Sequence, residues 1–284
     1  MSTVVTLLAG RYRLLEEASR TDASVIWHAY DELLHREVAV KEIRFADHLP
    51  DAERQQLTER ALREARVAAA IDTTAAVRVF DVEEQDGRPW VVMEVVPGRP
   101  LRQVLSRRRS LPDVDVARVG LAVLEALDVA HRVGVAHCTV TVDNVIVGTD
   151  HRIALTDFCI DTVAPGSDDD HDDLRRLGET LRAATSRRTA PPLRELVDRL
   201  TAPEPADLPT EDEVRQVLER VVRDARLRRS EPWPAYPSGD GAAATESEPH
   251  RLDEEGPVWP PLVGLLVVLV ATAIILTTVL QPGG

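Results

Sequence analysis

Up to Val96 the apolar residues of this chain fall in short, β-branched runs; beyond Pro97-Gly98 they recur at helical spacing. A sheet-forming half followed by a helical half predicts an α+β fold in two lobes. After Gly10-Arg-Tyr-Arg-Leu-Leu, the runs Val25–Tyr30 and Glu37–Ile43 read as strands across the turn-like Asp31-Glu-Leu-Leu-His-Arg. Asp51–Ile71 reads as one helix, with Leu57, Ala61, Ala65 and Ala68 on its apolar stripe. Val77–Glu83 and Trp90–Val95 are strands joined by Gln85-Asp-Gly-Arg. In the second half, Leu101–Arg109 reads as a short helix. Asp113–Arg132 reads as a long one, striped by Val116, Val119, Val123, Leu127 and Ala130. Three more helices are expected over Asp172–Ala184, Pro191–Leu200 and Thr210–Leu227.

The tail has its own chemistry. Ser230–Pro261 carries seven prolines among Gly, Ser and acidic residues, the composition of a disordered tether. Leu262–Leu280 follows, nineteen residues without a charge and preceded by Trp259, close to the ~20 residues that cross a bilayer. A single membrane span is expected there. Only Gln281-Pro-Gly-Gly follows it, and Arg251 is the one nearby cation, so the folded part is expected on the cytoplasmic side. The N-terminal MSTVVTLLAG lacks the basic region of a signal peptide. A formal net charge of -14 argues against a nucleic-acid partner. Two cysteines make no disulfide framework and suit a reducing compartment.

The stretch His137–Cys159, HCTVTVDNVIVGTDHRIALTDFC, joins a polar turn with a late Asn to an apolar hairpin and then Asp-Phe. It resembles the catalytic loop and metal-binding loop of protein kinases, H-R-D-x-x-x-x-N and D-F-G. GRYRLLEE, VAVKEIRF, LREARVAAA and WVVMEVVPGRPL precede it in the family's order. The resemblance covers about residues 10 to 225 and is to bacterial membrane-anchored Ser/Thr protein kinases. It implies a kinase-like N-lobe over 10–96, a shortened C-lobe over 97–229, the linker 230–261 and a transmembrane helix over 262–280.

The resemblance also assigns roles. Lys41, in Val-Ala-Val-Lys, would hold the α/β-phosphates of ATP and pair with Glu64. It is the only lysine of the chain, which elsewhere uses arginine. As an alternative, a Lys41–Glu64 bridge could serve structure alone. Met93 would gate the adenine pocket, Glu94 to Val96 would form the hinge, and Ala39 and Ile26 would lie above the ring. Asn144 and Asp157 would bind Mg²⁺; the bland readings are that Asn144 braces its loop and Asp157 caps a turn.

Several family residues are replaced. Thr139 stands at the base position, and a neutral hydroxyl does not take a proton near neutral pH. Thr141 replaces the lysine that steadies the γ-phosphate. Ser19, Thr21 and Ser24 occupy the three glycine positions of the phosphate-covering loop. Little chain separates Asp157 from Asp173-Leu-Arg-Arg-Leu-Gly178, and Ala164-Pro-Gly is the nearest echo of A-P-E. Asp168-Asp-Asp-His-Asp-Asp reads as a solvated helix start rather than a metal site. Cys138 and Cys159 replace two residues that lie close together in the family, so a disulfide and a pair of small buried residues are both open.

The expectation is a membrane-tethered pseudokinase: a signalling or scaffold module with phosphotransfer lost or very weak, retaining sites for ATP and Mg²⁺. A cytoplasmic or membrane protein partner is implied. A degenerate kinase domain of this kind also accompanies the lipid II flippase of some actinobacteria, which points to cell-envelope regulation. An active kinase with an atypical base and an adaptor that binds no nucleotide are the rivals.

Overall fold

The computed structural model describes residues 7–46, 48–135, 139–158, 170–204 and 208–227. The expectations for Cys138, Cys159, the 230–261 linker and the 262–280 span fall outside them. Among the described residues no helix is long and apolar enough to cross a membrane.

The first half builds one antiparallel sheet in the order β1-β2-β3-β4-β6-β5. Its strands are β1 (Leu7–Leu8), β2 (Tyr12–Arg20), β3 (Ser24–Asp31), β4 (Arg36–Ile43), β5 (Val79–Gln85) and β6 (Arg88–Met93). Helix α1 (Asp51–Ala68) covers one face, starting with Asp51 and Glu53 where the helix dipole favours acids. Its buried face is Thr58, Ala61, Leu62, Ala65 and Ala68; Leu57, expected there, is only half-buried. In β4 the period of two separates two cores. Val38 and Val40 pack with Tyr12, Trp90 and Val92, while Ala39 and Ile43 pack with Ala61 and Ala65. Lys41 therefore projects on the Ala39 side.

A polar knot closes the far end of the sheet. The Arg11 guanidinium donates to both oxygens of Asp31 at 2.8 and 2.7 Å and to Asp81 at 3.2 Å, where the Tyr12 hydroxyl also donates at 2.6 Å. The hydrogen bond from Arg11 holds the Asp31 carboxyl down, to about 2, and the amides of Leu34 and Leu33 add to this. A depressed acid stabilises the fold above its unfolded pKa and loses that contribution as pH falls through the folded value. The urea midpoint should therefore drop between about pH 4 and pH 2. In Asp31→Asn that segment of the pH dependence should be absent; an unchanged acid limb would dissociate Asp31 from acid unfolding.

The second half opens with β7 (Gly98–Pro100), a strand the sequence reading missed, which pairs with β8 (Val145–Gly148) and through it with β9 (Ile153–Leu155). Five helices follow the expected pattern: α2 (Leu101–Arg108), α3 (Asp113–Arg132), α4 (Asp170–Ala184), α5 (Pro191–Leu200) and α6 (Glu211–Leu227). The α3 stripe Val116, Val119, Val123, Leu127 and Ala130 is fully buried at the centre of this half. Two glycines set how closely the helices approach. A Cβ on Gly178 of α4 would stand 2.5 Å from the Leu200 Cβ and 3.0 Å from its carbonyl carbon, and one on Gly120 of α3 would meet Leu218 of α6. Gly178→Val should accordingly lower unfolding stability by about 2–3 kcal/mol, since a rigid branched side chain must push α5 away. An unchanged denaturant midpoint would mean that α4 and α5 can separate freely.

Candidate active site

Strand alternation in β4, the hairpin β8–β9 and the turn after it bring Lys41 and Asp157 together between the two halves. The Lys41 Nζ donates to Asp157 Oδ1 at 3.1 Å, with both side chains 1% exposed. Asp157 has φ 68°, a left-handed conformation that costs a non-glycine residue about 1–2 kcal/mol. Its second oxygen, Oδ2, is buried and meets no donor among the described residues.

Asn144 ends the loop that begins at Thr139. Its amide nitrogen donates to the Thr139 carbonyl at 2.7 Å and lies 3.4 Å from the Thr139 hydroxyl, bracing the loop. Its Oδ1 is likewise buried without a donor. Two buried, unsatisfied acceptors on neighbouring segments are a costly arrangement that a hard cation would relieve.

The other expected residues divide. Ile26, Ala39, Met93 and Val96 belong to one apolar cluster together with Ile146 and Ala154 of the hairpin, each at most 2% exposed. The cleft between the halves is thus packed shut at this level. A cavity of about 10 Å³ behind Met93, lined by Ala68, Val77, Thr156 and Phe158 among others, has room for about one water. Glu64 does not meet Lys41. Its carboxylate accepts from Arg60 at 2.7 Å, one turn back on α1, and burial pushes its pKa up against the pull of that arginine. The expected Lys41–Glu64 bridge is replaced by Lys41–Asp157.

Three features were missed in the sequence. Arg102 of α2 makes a two-pronged pair with Asp143, a carboxylate of the 139–144 loop that is 7% exposed. The β2–β3 turn is tied by its own hydroxyls: the Thr21 amide donates to the Ser24 carbonyl at 2.8 Å, and the Ser24 amide to Thr21 Oγ1 at 3.0 Å. Arg152, between β8 and β9, donates to both Glu94 oxygens at 2.9 and 2.6 Å and to the carbonyls of Thr74 and Ala76. Burial pushes the Glu94 carboxyl up, but Arg152 together with the amide and charge of Arg78 outweighs it and holds the group below its ordinary value. Backbone bonds Val77 N to Leu155 O and Leu155 N to Ala75 O, both 2.8 Å, seal the same seam.

Residues 20–193 match the protein kinase domain family. The chain belongs to the protein kinase family. It is 32% identical over 152 residues to a probable serine/threonine-protein kinase of Bifidobacterium longum, covering 54% of this chain and 20% of that one. It is 34% identical over 157 residues to a probable serine/threonine-protein kinase of Streptomyces coelicolor, covering 54% and 23%. It is 35% identical over 155 residues to the serine/threonine-protein kinase PknL of Mycobacterium tuberculosis, covering 54% and 37%. The chain thus spans well under half the length of these relatives.

Protein kinase domains generally use ATP and Mg²⁺, and Lys41, Asn144 and Asp157 are the residues expected to hold them here. Asn144 Oδ1 and Asp157 Oδ2 fit an oxygen-seeking cation. The phosphate cover fits less well, because two amides of the β2–β3 turn are consumed by the turn itself. Thr139 offers only a hydroxyl near Asn144. Asp143, the nearest carboxylate in sequence, is engaged on both oxygens by Arg102.

Proposed function

We propose that this kinase domain works as a membrane-tethered pseudokinase. It binds a cytoplasmic or membrane protein partner, in a signalling or scaffold role tied to the cell envelope, with phosphotransfer lost or very weak. The observation that carries this reading is the missing catalytic carboxylate: Thr139 stands at its position, and the nearby Asp143 is engaged on both oxygens by Arg102. The retained Asn144 and Asp157 acceptors support residual Mg-nucleotide binding. When bound, nucleotide would supply its phosphates to Lys41 and its metal to these two residues. Lys41 must then leave Asp157 Oδ1 at least in part, and the apolar cluster around Ile26 and Ala39 must part for the base, so binding should be weak.

Loss of a general base alone typically costs about 10²–10⁴ in rate, and poor phosphate positioning adds to it. Thr139→Asp is therefore expected to leave the full chain without measurable phosphotransfer. A Thr139→Asp chain that phosphorylates itself would show that only the base is missing; activity of the wild-type chain itself would favour the active-kinase reading.

A further inference from the structure

Helix α6 runs antiparallel to α3. Glu211 faces His131 at 3.4 Å, Arg215 faces Asp128 at 3.5 Å, and Leu218 lies over Gly120. At 1.5 Å per residue, the end of α6 at Leu227 reaches the level of the first turn of α3. Leu227, the last described residue, therefore lies at the α3 N-terminal end.

The same end gathers arginines from two other segments. Leu111 N donates to the Ala184 carbonyl and Ala190 N to Asp113 Oδ2, both at 2.9 Å, which docks the α4–α5 loop beside the α2–α3 connection. Arg107, Arg108 and Arg109 on one side and Arg187 and Arg188 on the other are all exposed. Among the described residues, no carboxylate stands within ion-pair distance of Arg107, Arg109, Arg187 or Arg188. Asp113 is occupied by the Ala190 amide. Arg108 lies within electrostatic reach of the buried Asp115; in a chain with 48 acidic and 34 basic residues, the other four arginines are still a local reversal of charge.

We propose that this arginine corner rests on the anionic headgroups of the membrane that the 262–280 segment enters. The proposal rests on reading that segment as a span. If residues 230–261 behave as a random coil, their reach of roughly 30 Å would keep the corner near the leaflet. Each arginine near an anionic surface contributes attraction that dies away within a Debye length, about 8 Å at physiological salt. The contact would fix which side of the kinase domain faces a partner.

The test reconstitutes the full chain into phosphatidylcholine vesicles and into vesicles also containing phosphatidylglycerol, then follows hydrogen exchange at Arg107–Leu111 and Thr185–Ala190. The expected result is exchange at least about tenfold slower on the anionic vesicles only, relieved by high salt and absent when the five arginines are changed to Gln. Because these side chains are exposed, the variant should fold as the parent, checked by its far-ultraviolet circular dichroism. Equal exchange on both vesicles, with the chain resistant to carbonate extraction, overturns the proposal while leaving the span intact. Protection by soluble polyglutamate but not by vesicles also overturns it, in favour of an acidic protein. A chain extracted by carbonate removes the span and this proposal with it.

Discussion

Lys41→Met is expected to destabilise the folded domain by about 3 kcal/mol or more, although in a nucleotide enzyme the same change is usually read as a loss of catalysis alone. The Lys41–Asp157 pair lies 3.1 Å apart at 1% exposure, and the second oxygen of Asp157 meets no donor among the described residues. Removing the ammonium leaves a carboxylate in a buried, left-handed turn with its main counter-charge gone. Breaking a buried pair from one side costs about 3–5 kcal/mol because the surviving charge keeps its desolvation penalty. Adding Asp157→Asn to Lys41→Met should restore part of the loss, since a neutral amide is easier to bury. Urea unfolding of the four chains measures the coupling. A loss below about 1 kcal/mol in Lys41→Met would show that water reaches the pair in solution.

Arg152→Ala should be nearly as disruptive, at about 2–3 kcal/mol, with its effect concentrated at the seam between the halves. One guanidinium serves Glu94 and the carbonyls of Thr74 and Ala76, so the truncation strands a half-buried carboxylate and two carbonyls together. Faster hydrogen exchange is expected at Val77 and Leu155, whose amides cross the seam. Arg152→Lys should recover little, because a compact ammonium cannot reproduce a forked pair while also reaching two carbonyls. If exchange at Val77 and Leu155 does not change, the apolar cluster alone holds the cleft closed.

The helices were legible because their apolar stripes keep one period over many residues: α3 and α5 begin and end where the sequence reading puts them. Strand β7 was not, since Gly98-Arg-Pro has neither length nor alternation and is fixed only by its partner β8. At the site, motif spacing singled out Lys41, Asn144 and Asp157, and the structure pairs the first with the last. It could not say which carboxylate Lys41 takes, because Glu64 and Asp157 are both acids within reach of the same cleft. Arg60, a near neighbour on α1, decides this by holding Glu64. The Arg102–Asp143 and Arg152–Glu94 pairs join residues 41 and 58 positions apart. Nothing local marks either arginine among the many of this chain, so only the fold reveals them.

The loss of phosphotransfer is tested most directly by incubating the purified full chain, in detergent, with Mg²⁺ and ATP labelled at the γ-phosphate. The account predicts no label above background in the chain itself or in generic protein substrates, for wild type and Thr139→Asp alike. Robust self-labelling by the wild-type chain, abolished by Asp157→Ala, would contradict it and make the domain an active kinase with another base.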